Sequence, residues 1–104
     1  MKIIAITACP VGAAHTYMAK AALERAAKEA GHEIKVETQS TMGDKNVLTK
    51  EDITNADVFI NAADIAIMNG ERFDDIPTYF TSGSKAIRKA KQIIQEAIDL
   101  VTEE

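Results

Sequence analysis

The sequence predicts an α/β fold with three layers: a four-stranded, mostly parallel sheet covered by helices on both faces. Short runs rich in apolar and β-branched residues alternate along the chain with segments whose apolar residues recur at helical spacing. This alternation favours parallel strands joined by right-handed crossovers. The 104 residues, of which 46% are hydrophobic, suit a single core. We therefore expect one domain over residues 1–104.

The first half of the chain is predicted to form a strand, a helix and a second strand. Residues 2–7 are an apolar run typical of a strand. Residues 15–30 are rich in alanine and precede Gly31, a natural helix terminator, so they predict a helix. Residues 33–39 alternate polar and apolar side chains, which indicates a half-buried strand towards an edge of the sheet.

The second half predicts two more strands and two helices. A capping pattern at Thr49 begins a short helix that runs to about residue 55. Residues 58–63 are apolar at nearly every position, as in a strand covered on both faces. A short fourth strand covers residues 77–80, where Pro77 can only begin the strand or lie at an edge. From Ser84 onwards one continuous helix buries a stripe formed by Ile87, Ala90, Ile94, Ala97, Ile98 and Val101.

The only cysteine, Cys9, follows the first strand and precedes the first helix. Such a junction directs backbone N–H groups and the positive end of the helix dipole into the loop, which favours a thiolate and a phosphoryl group. Cys9 is therefore a candidate nucleophile; the alternative is a buried small hydrophobe. The candidate phosphate-binding loop that follows consists of Pro10, Val11, Gly12, Ala13, Ala14, His15 and Thr16.

The order of elements is Rossmann-like or flavodoxin-like, and ligands of such sheets gather at the carboxyl ends of the strands. That edge is expected to collect Cys9, Gln39, Asp64 and residues 82–84. His15 is a candidate hydrogen-bond donor to a phosphate, or an ordinary surface histidine. Thr16 either offers its hydroxyl to the site or only supports the first helical turn.

The spacing of the loop also invites comparison with cysteine phosphatases, in which cysteine, five residues and an arginine follow one another. Here His15 stands in place of the arginine, so the bidentate clamp that would hold a phosphate ester is missing. A thiol that accepts a phosphoryl group without hydrolysing it quickly would act as a carrier. A phosphatase-like enzyme and a non-catalytic flavodoxin-like interaction module remain the alternatives.

Composition argues against several other classes of protein. The net charge of -4 disfavours diffuse binding to nucleic acid or anionic lipid, and no apolar run approaches the roughly 18 residues of a membrane span. A single cysteine offers no internal disulfide and no resolving thiol, which fits a reducing cytosol. No Gly-x-Gly-x-x-Gly pattern follows the first strand, so no cofactor is expected. With His32 beyond the far end of the first helix, the cysteine and two histidines predict no metal site.

Residues 9–18 closely resemble the active-site loop of the fructose-type enzyme IIB component of bacterial sugar phosphotransferase systems (PTS). Residues 36–39, 56–66 and 71–73 resemble further segments of the same family in the same order. The chain departs from the family pattern at Val11, where threonine is common, at Ser40, where glycine is usual, and at Asp74 and Asp75.

The resemblance implies a four-stranded parallel sheet and a protein-phosphocysteine sugar phosphotransferase. In that family Cys9 would receive phosphate from a phosphohistidine of the IIA component. It would then pass the phosphate to a sugar, expected to be fructose, bound by the membrane IIC component during uptake. The protein would lie in the cytoplasm, peripheral to the inner face of the membrane through IIC, without inserting into the bilayer.

Basic residues at the start of the last predicted helix are a feature that the resemblance does not supply. They are Lys85, Arg88, Lys89 and Lys91, whereas Asp99, Glu103 and Glu104 lie at its end, opposite to what a helix dipole favours. We hypothesise that Lys85 and Arg88 stand at the Cys9 edge and attract the phosphorylated partner. The alternative is a solvated helix face.

Overall fold

A computed structural model describes residues 1–9, 13–40 and 43–102. The strands are β1 (Lys2–Ala8), β2 (Glu33–Gln39), β3 (Val58–Ala63) and β4 (Thr78–Phe80). The helices are α1 (Ala13–Glu29), α2 (Lys50–Asn55), α3 (Gly83–Arg88) and α4 (Ala90–Thr102), with a 3-10 turn at Gly70–Phe73. Every predicted strand is present, within a residue or so of its expected bounds.

The four strands form one sheet in the order β2-β1-β3-β4, and all three strand pairs are parallel. The predicted α/β class is therefore confirmed, as is the edge position of β2. Pro77 precedes β4, which forms the other edge, and its carbonyl accepts a hydrogen bond from the N–H of Phe59 at 3.0 Å. Proline thus stands where the lack of its own N–H costs the sheet nothing.

Side chains alternate between two hydrophobic clusters along β1, because successive residues of a strand point to opposite faces. Ile3 and Ala5 join the cluster beneath α1, α3 and α4. Ile4 and Ile6 join the cluster beneath α2 and the 3-10 turn. β1 is covered on both faces, and its carboxyl end emerges between the layers.

The predicted single C-terminal helix is wrong, because α3 and α4 are separated at Lys89. Lys89 has φ -133° and ψ 38°, outside the helical region. The break lets two short helices meet the same core, through Ala86 in α3 and through Ile93, Ile94 and Ala97 in α4. It also places Lys85 and Arg88 in the last turn of α3, where a positive charge complements the helix dipole. The predicted dipole conflict is therefore absent for these two residues.

A capping box begins α2 and leads to a testable pH dependence. The N–H of Asp52 donates to Thr49 Oγ1, and Asp52 accepts from the N–H of Thr49 and, at 2.6 Å, from Lys35 Nζ. These bonds, with that from Lys35 foremost, lower the pKa of Asp52 from 3.8 to about 2. The folded-state pKa of Asp52 lies below its unfolded value. The charged carboxylate therefore stabilises the fold fully above pH 3.8, and this stabilisation is lost as the pH falls through about 2.

Asp52→Asn is therefore expected to destabilise the protein by about 1 kcal/mol at neutral pH. The deficit relative to wild type should close as the pH falls through the acid range, because both side chains are then neutral. Urea unfolding of the two proteins at a series of pH values measures the deficit. A deficit that stays constant with pH would show that the charge of Asp52 contributes nothing.

Candidate functional site

The carboxyl ends of the strands bring together residues that are far apart in the sequence. Cys9 follows β1 and Asp64 follows β3, while Gln39 is the last residue of β2. The N–H of Asp64 donates to the carbonyl of Ala8 at 2.8 Å, which fixes the ends of the two central strands side by side. Ser82 accepts a hydrogen bond from the N–H of Lys85 and so caps α3 near the same edge.

Cys9 lies in direct contact with His15. Its side chain is largely buried, with 8% of its surface exposed, and Cys9 Sγ lies 3.1 Å from His15 Nδ1. A neutral imidazole with its proton on Nε2 accepts from the thiol through Nδ1, whereas an imidazolium donates from Nδ1 to a thiolate. The pair therefore has the geometry of a nucleophile beside a base. The burial of Cys9 would by itself also suit a small hydrophobic core residue. Its contact with His15 is not expected of such a residue and favours the nucleophile.

The first turn of α1 contains the second half of the predicted loop. The helix begins at Ala13, two residues earlier than predicted, and also includes Ala14, His15 and Thr16. The first N–H groups of an α-helix lack acceptors within the helix, and this first turn carries no acidic residue. The turn is tied to the sheet by Thr7 Oγ1, which donates to the carbonyl of Thr16 at 3.2 Å. Thr16 itself is buried.

The other three residues of the predicted loop, Pro10, Val11 and Gly12, lie outside the described residues.

Asp64 completes a cluster with Cys9 and His15. One potential ligand atom from each of the three side chains lies within 4.8 Å of the other two. Asp64 is oriented by Gly83, whose N–H donates to Asp64 Oδ1 at 3.0 Å. A Cβ at position 83 would come within 2.9 Å of Asp64 Oδ2, so glycine permits the close approach. The sequence predicted no metal site because its one cysteine and two histidines supply too few ligands, whereas in the folded chain the Asp64 carboxylate adds a third type of ligand beside Cys9 and His15.

Gln39 belongs to a buried polar network beside this cluster, and no hydrogen bond between Gln39 and Cys9 is found among the described residues. Gln39 Nε2 donates to Glu37 Oε2 at 2.7 Å, and Gln39 Oε1 accepts from the N–H of Met68 at 2.9 Å. Arg72 donates to both carboxylate oxygens of Glu37 at 3.1 and 3.2 Å. The network ties the end of β2 to the segment before the 3-10 turn.

The network stabilises the charged form of Glu37, which is only 1% exposed. Burial by itself would raise the pKa of Glu37, but hydrogen bonds from Arg72, Gln39 and the N–H of Leu48 outweigh it and lower the pKa below its ordinary value. Sequence reasoning missed this ion pair. The available signal was that the segments containing Glu37 and Arg72 both resembled the same family.

The predicted steering residues, Lys85 and Arg88, are both exposed on α3. Lys85 lies two residues beyond Gly83, the contact of Asp64, and Arg88 lies one turn further along the helix. The pKa of Glu96 in α4 is lowered mainly by hydrogen bonds from Tyr79 and Gln92. The positive charge of Lys85 makes a smaller contribution in the same direction. The structure thus places Lys85 near the site edge and Arg88 farther away.

No helix among residues 13–40 and 43–102 combines the length and the apolar character needed to cross a bilayer.

Comparisons with known proteins agree with this architecture. Residues 4–96 match the family described as "PTS system, Lactose/Cellobiose specific IIB subunit". The chain is 50% identical over 95 residues to the "PTS system fructose-like EIIB component 2" of Escherichia coli strain K12, an alignment that covers 91% of this chain and 90% of that protein.

Solved structures of similar proteins share the fold. The Enzyme IIB subunit of the PTS from Escherichia coli K12 superposes with a TM-score of 0.91 at 42% identity, covering 98% of this chain and 94% of that one. A domain of the fructose-specific IIABC component from Borrelia burgdorferi gives a TM-score of 0.89 at 47% identity, covering 94% and 93%. The similarity therefore extends over nearly the whole chain, including the edge that carries Cys9.

Proposed function

The chain belongs to the fructose-type enzyme IIB family of the phosphotransferase system, and from this premise we propose that Cys9 is the residue that carries the phosphoryl group. Membership makes the protein a phosphotransferase component that acts in sugar uptake. The observation that supports Cys9 most directly is its contact with His15 Nδ1 at 3.1 Å, at the start of α1. A phosphatase or a non-catalytic module is not favoured.

The phosphoryl donor in this proposal is a phosphohistidine of a IIA component. The thiol proton moves to Nδ1 of His15, and the thiolate of Cys9 attacks phosphorus in line with the leaving nitrogen. The S–P bond forms as the N–P bond breaks, and the electron pair returns to the donor imidazole. The N–H groups of Ala13, Ala14 and His15 stabilise the charge on the transferred oxygens.

The acceptor is a sugar bound by a membrane IIC component, and we propose that the sugar is fructose. A sugar hydroxyl attacks phosphorus, and the O–P bond forms as the S–P bond breaks with its electron pair returning to Cys9 Sγ. The hydroxyl proton ends on that sulfur, which restores the thiol. The fructose-like and fructose-specific descriptions of the relatives support this choice, although the matching family model is named for lactose and cellobiose. The protein would work in the cytoplasm, at the inner face of the membrane, through its contact with IIC.

Intact mass spectrometry tests this proposal. The protein is incubated with phosphoenolpyruvate, the general phosphotransferase proteins and a fructose-type IIA, and digestion then locates the modified residue. We expect one phosphoryl group on Cys9, which disappears when the matching IIC and fructose are added. A phosphoryl group on His15, or none from a IIA shown to be phosphorylated, would overturn the proposal. Loss with another sugar but not with fructose would overturn the choice of sugar alone.

Charge reversal tests the steering hypothesis for α3. The double variant Lys85→Glu/Arg88→Glu is expected to slow phosphorylation by IIA about tenfold in low salt, because a positive patch raises the encounter rate with a phosphorylated partner. The difference should shrink in high salt, where charges are screened.

The matched control is Lys2→Glu/Lys28→Glu, which makes the same change in net charge at the opposite end of the sheet. Lys2 begins β1, and Lys28 lies in the last turn of α1. The control should phosphorylate at the wild-type rate. Equal rates of phosphorylation in both double variants would show that Lys85 and Arg88 do not steer the partner.

A further inference from the structure

We propose that Cys9, His15 and Asp64 form a binding site for Zn²⁺ that competes with phosphorylation. The three side chains come from the end of β1, the first turn of α1 and the end of β3. One potential ligand atom from each lies within 4.8 Å of the others, and Cys9 Sγ and His15 Nδ1 are 3.1 Å apart. The sheet thus holds three different types of metal ligand at one point.

A tetrahedral zinc ion sets the separations that its ligand atoms must reach. Bonds of about 2.3 Å to sulfur and about 2.0–2.2 Å to nitrogen and oxygen place pairs of ligand atoms about 3.3–3.6 Å apart. Cys9 Sγ and His15 Nδ1, 3.1 Å apart, lie slightly closer than this, and the other pairs lie within 4.8 Å, so metal binding requires side-chain rotations that bring every pair to this separation. Thiolate and imidazole ligands favour Zn²⁺ over Mg²⁺ or Ca²⁺. Because Asp64 is exposed, water can reach the fourth position.

The backbone holds the carboxylate in place for this task. Gly83 donates to Asp64 Oδ1 at 3.0 Å, and no hydrogen bond within residues 1–9, 13–40 and 43–102 engages Asp64 Oδ2, the oxygen that we assign to the cation. The N–H of Asp64 is fixed in turn by the carbonyl of Ala8 at 2.8 Å. A ligand whose orientation is fixed by its neighbours binds metal more tightly than a freely rotating one.

Zinc binding has a direct chemical consequence for Cys9. The thiol releases its proton as the Zn–S bond forms. The bound ion draws electron density from the sulfur and blocks the approach of phosphorus, so the sulfur is a much weaker nucleophile. The metal-bound protein therefore accepts no phosphoryl group until the ion is removed. This competition rests on the proposed function, whereas the binding of zinc itself does not.

Cobalt and zinc titrations of the full chain test the site. We expect one equivalent of Co²⁺ to produce a thiolate-to-cobalt absorption band in the near ultraviolet, which Zn²⁺ abolishes by displacement. Cys9→Ser should lose the band, and His15→Ala and Asp64→Asn should each weaken Zn²⁺ binding about tenfold or more in calorimetry. Melting curves of the metal-free variants separate lost ligands from lost folding.

His32→Ala is the matched control, because His32 is the other histidine and lies 3.0 Å from the N-terminal amine, a separate place for a metal. This variant should bind Zn²⁺ at Cys9 as the wild type does. Loss of binding in His32→Ala but not in Cys9→Ser would overturn the proposal, as would a wild-type protein without the cobalt band.

Phosphorylation with a chelator present, and again with one equivalent of Zn²⁺, separates the two proposals. Transfer that occurs with chelator and stops with zinc supports both. A protein that shows the cobalt band but accepts no phosphoryl group under chelation keeps the metal site and loses the proposed function. Unimpeded transfer at saturating zinc, with IIA activity verified, would overturn the competition.

Discussion

Cys9→Ser is expected to abolish phosphoryl transfer from IIA while the protein remains folded. Serine has nearly the shape of cysteine, but its hydroxyl is a far weaker nucleophile than a thiolate, and a neighbouring imidazole deprotonates an alcohol far less readily than a thiol. The cysteine side chain is 8% exposed and contacts His15, so the small change in volume should cost about 1 kcal/mol or less. Intact mass after incubation with phosphorylated IIA measures the loss, and thermal melting checks the fold.

Cys9→Ala is the companion variant, because it removes every acceptor atom at this position. Both variants should remain unmodified over a time in which the wild type is fully phosphorylated. A stable phosphoserine in Cys9→Ser alone would still place the acceptor at position 9. Transfer to both variants at the wild-type rate would move the acceptor to another residue, with His15 as the first candidate.

The parts of the fold that local patterns specify were predictable from sequence. The apolar runs in β1 and β3 and the alanine-rich α1 are recognisable without knowledge of their neighbours. The break at Lys89 was not, because neither glycine nor proline marks it and the helical stripe continues across it. Packing of α3 and α4 against the same core decides the break there. Tertiary contacts thus override local propensity at this position.

The candidate site also contains residues that local sequence connects and residues that only the fold brings together. Cys9 and His15 lie six residues apart and could be connected from the loop alone, whereas Asp64 was placed near them only through the rule for parallel sheets. Glu37 was hidden because its strand alternates, so the face carrying Glu33, Lys35 and Glu37 resembled a solvent face. Its partner Arg72 lies 35 positions away, and no local pattern connects the two.

Arg72→Met is expected to destabilise the protein by about 3 kcal/mol, because it leaves a buried carboxylate without its counter-charge. Glu37 is 1% exposed, while the side chain of Arg72 is 22% exposed, which favours the lower end of the expected range. The substitution also removes the donors to the carbonyls of Leu48 and Met68. Urea unfolding gives the free energy of unfolding. An m-value equal to that of the wild type would show that both proteins unfold in the same transition.

The double variant Glu37→Gln/Arg72→Met separates the lost counter-charge from lost packing. Glutamine can still accept from the N–H of Leu48, which lies 2.8 Å from Glu37 Oε1, so the double variant should be more stable than Arg72→Met by at least about 1 kcal/mol.

The charge of Glu37 also predicts how the stability of wild type and Arg72→Met changes with pH. In the wild type the pKa of Glu37 is lowered, so its stabilisation is full above the ordinary value of 4.5 and is lost as the pH falls through the folded-state value. In Arg72→Met, burial instead favours the neutral acid, and acid relieves the penalty. The difference in free energy of unfolding between the two proteins is therefore expected to shrink on acidification. A difference that did not change with pH would show that packing, and not charge, makes Arg72 important.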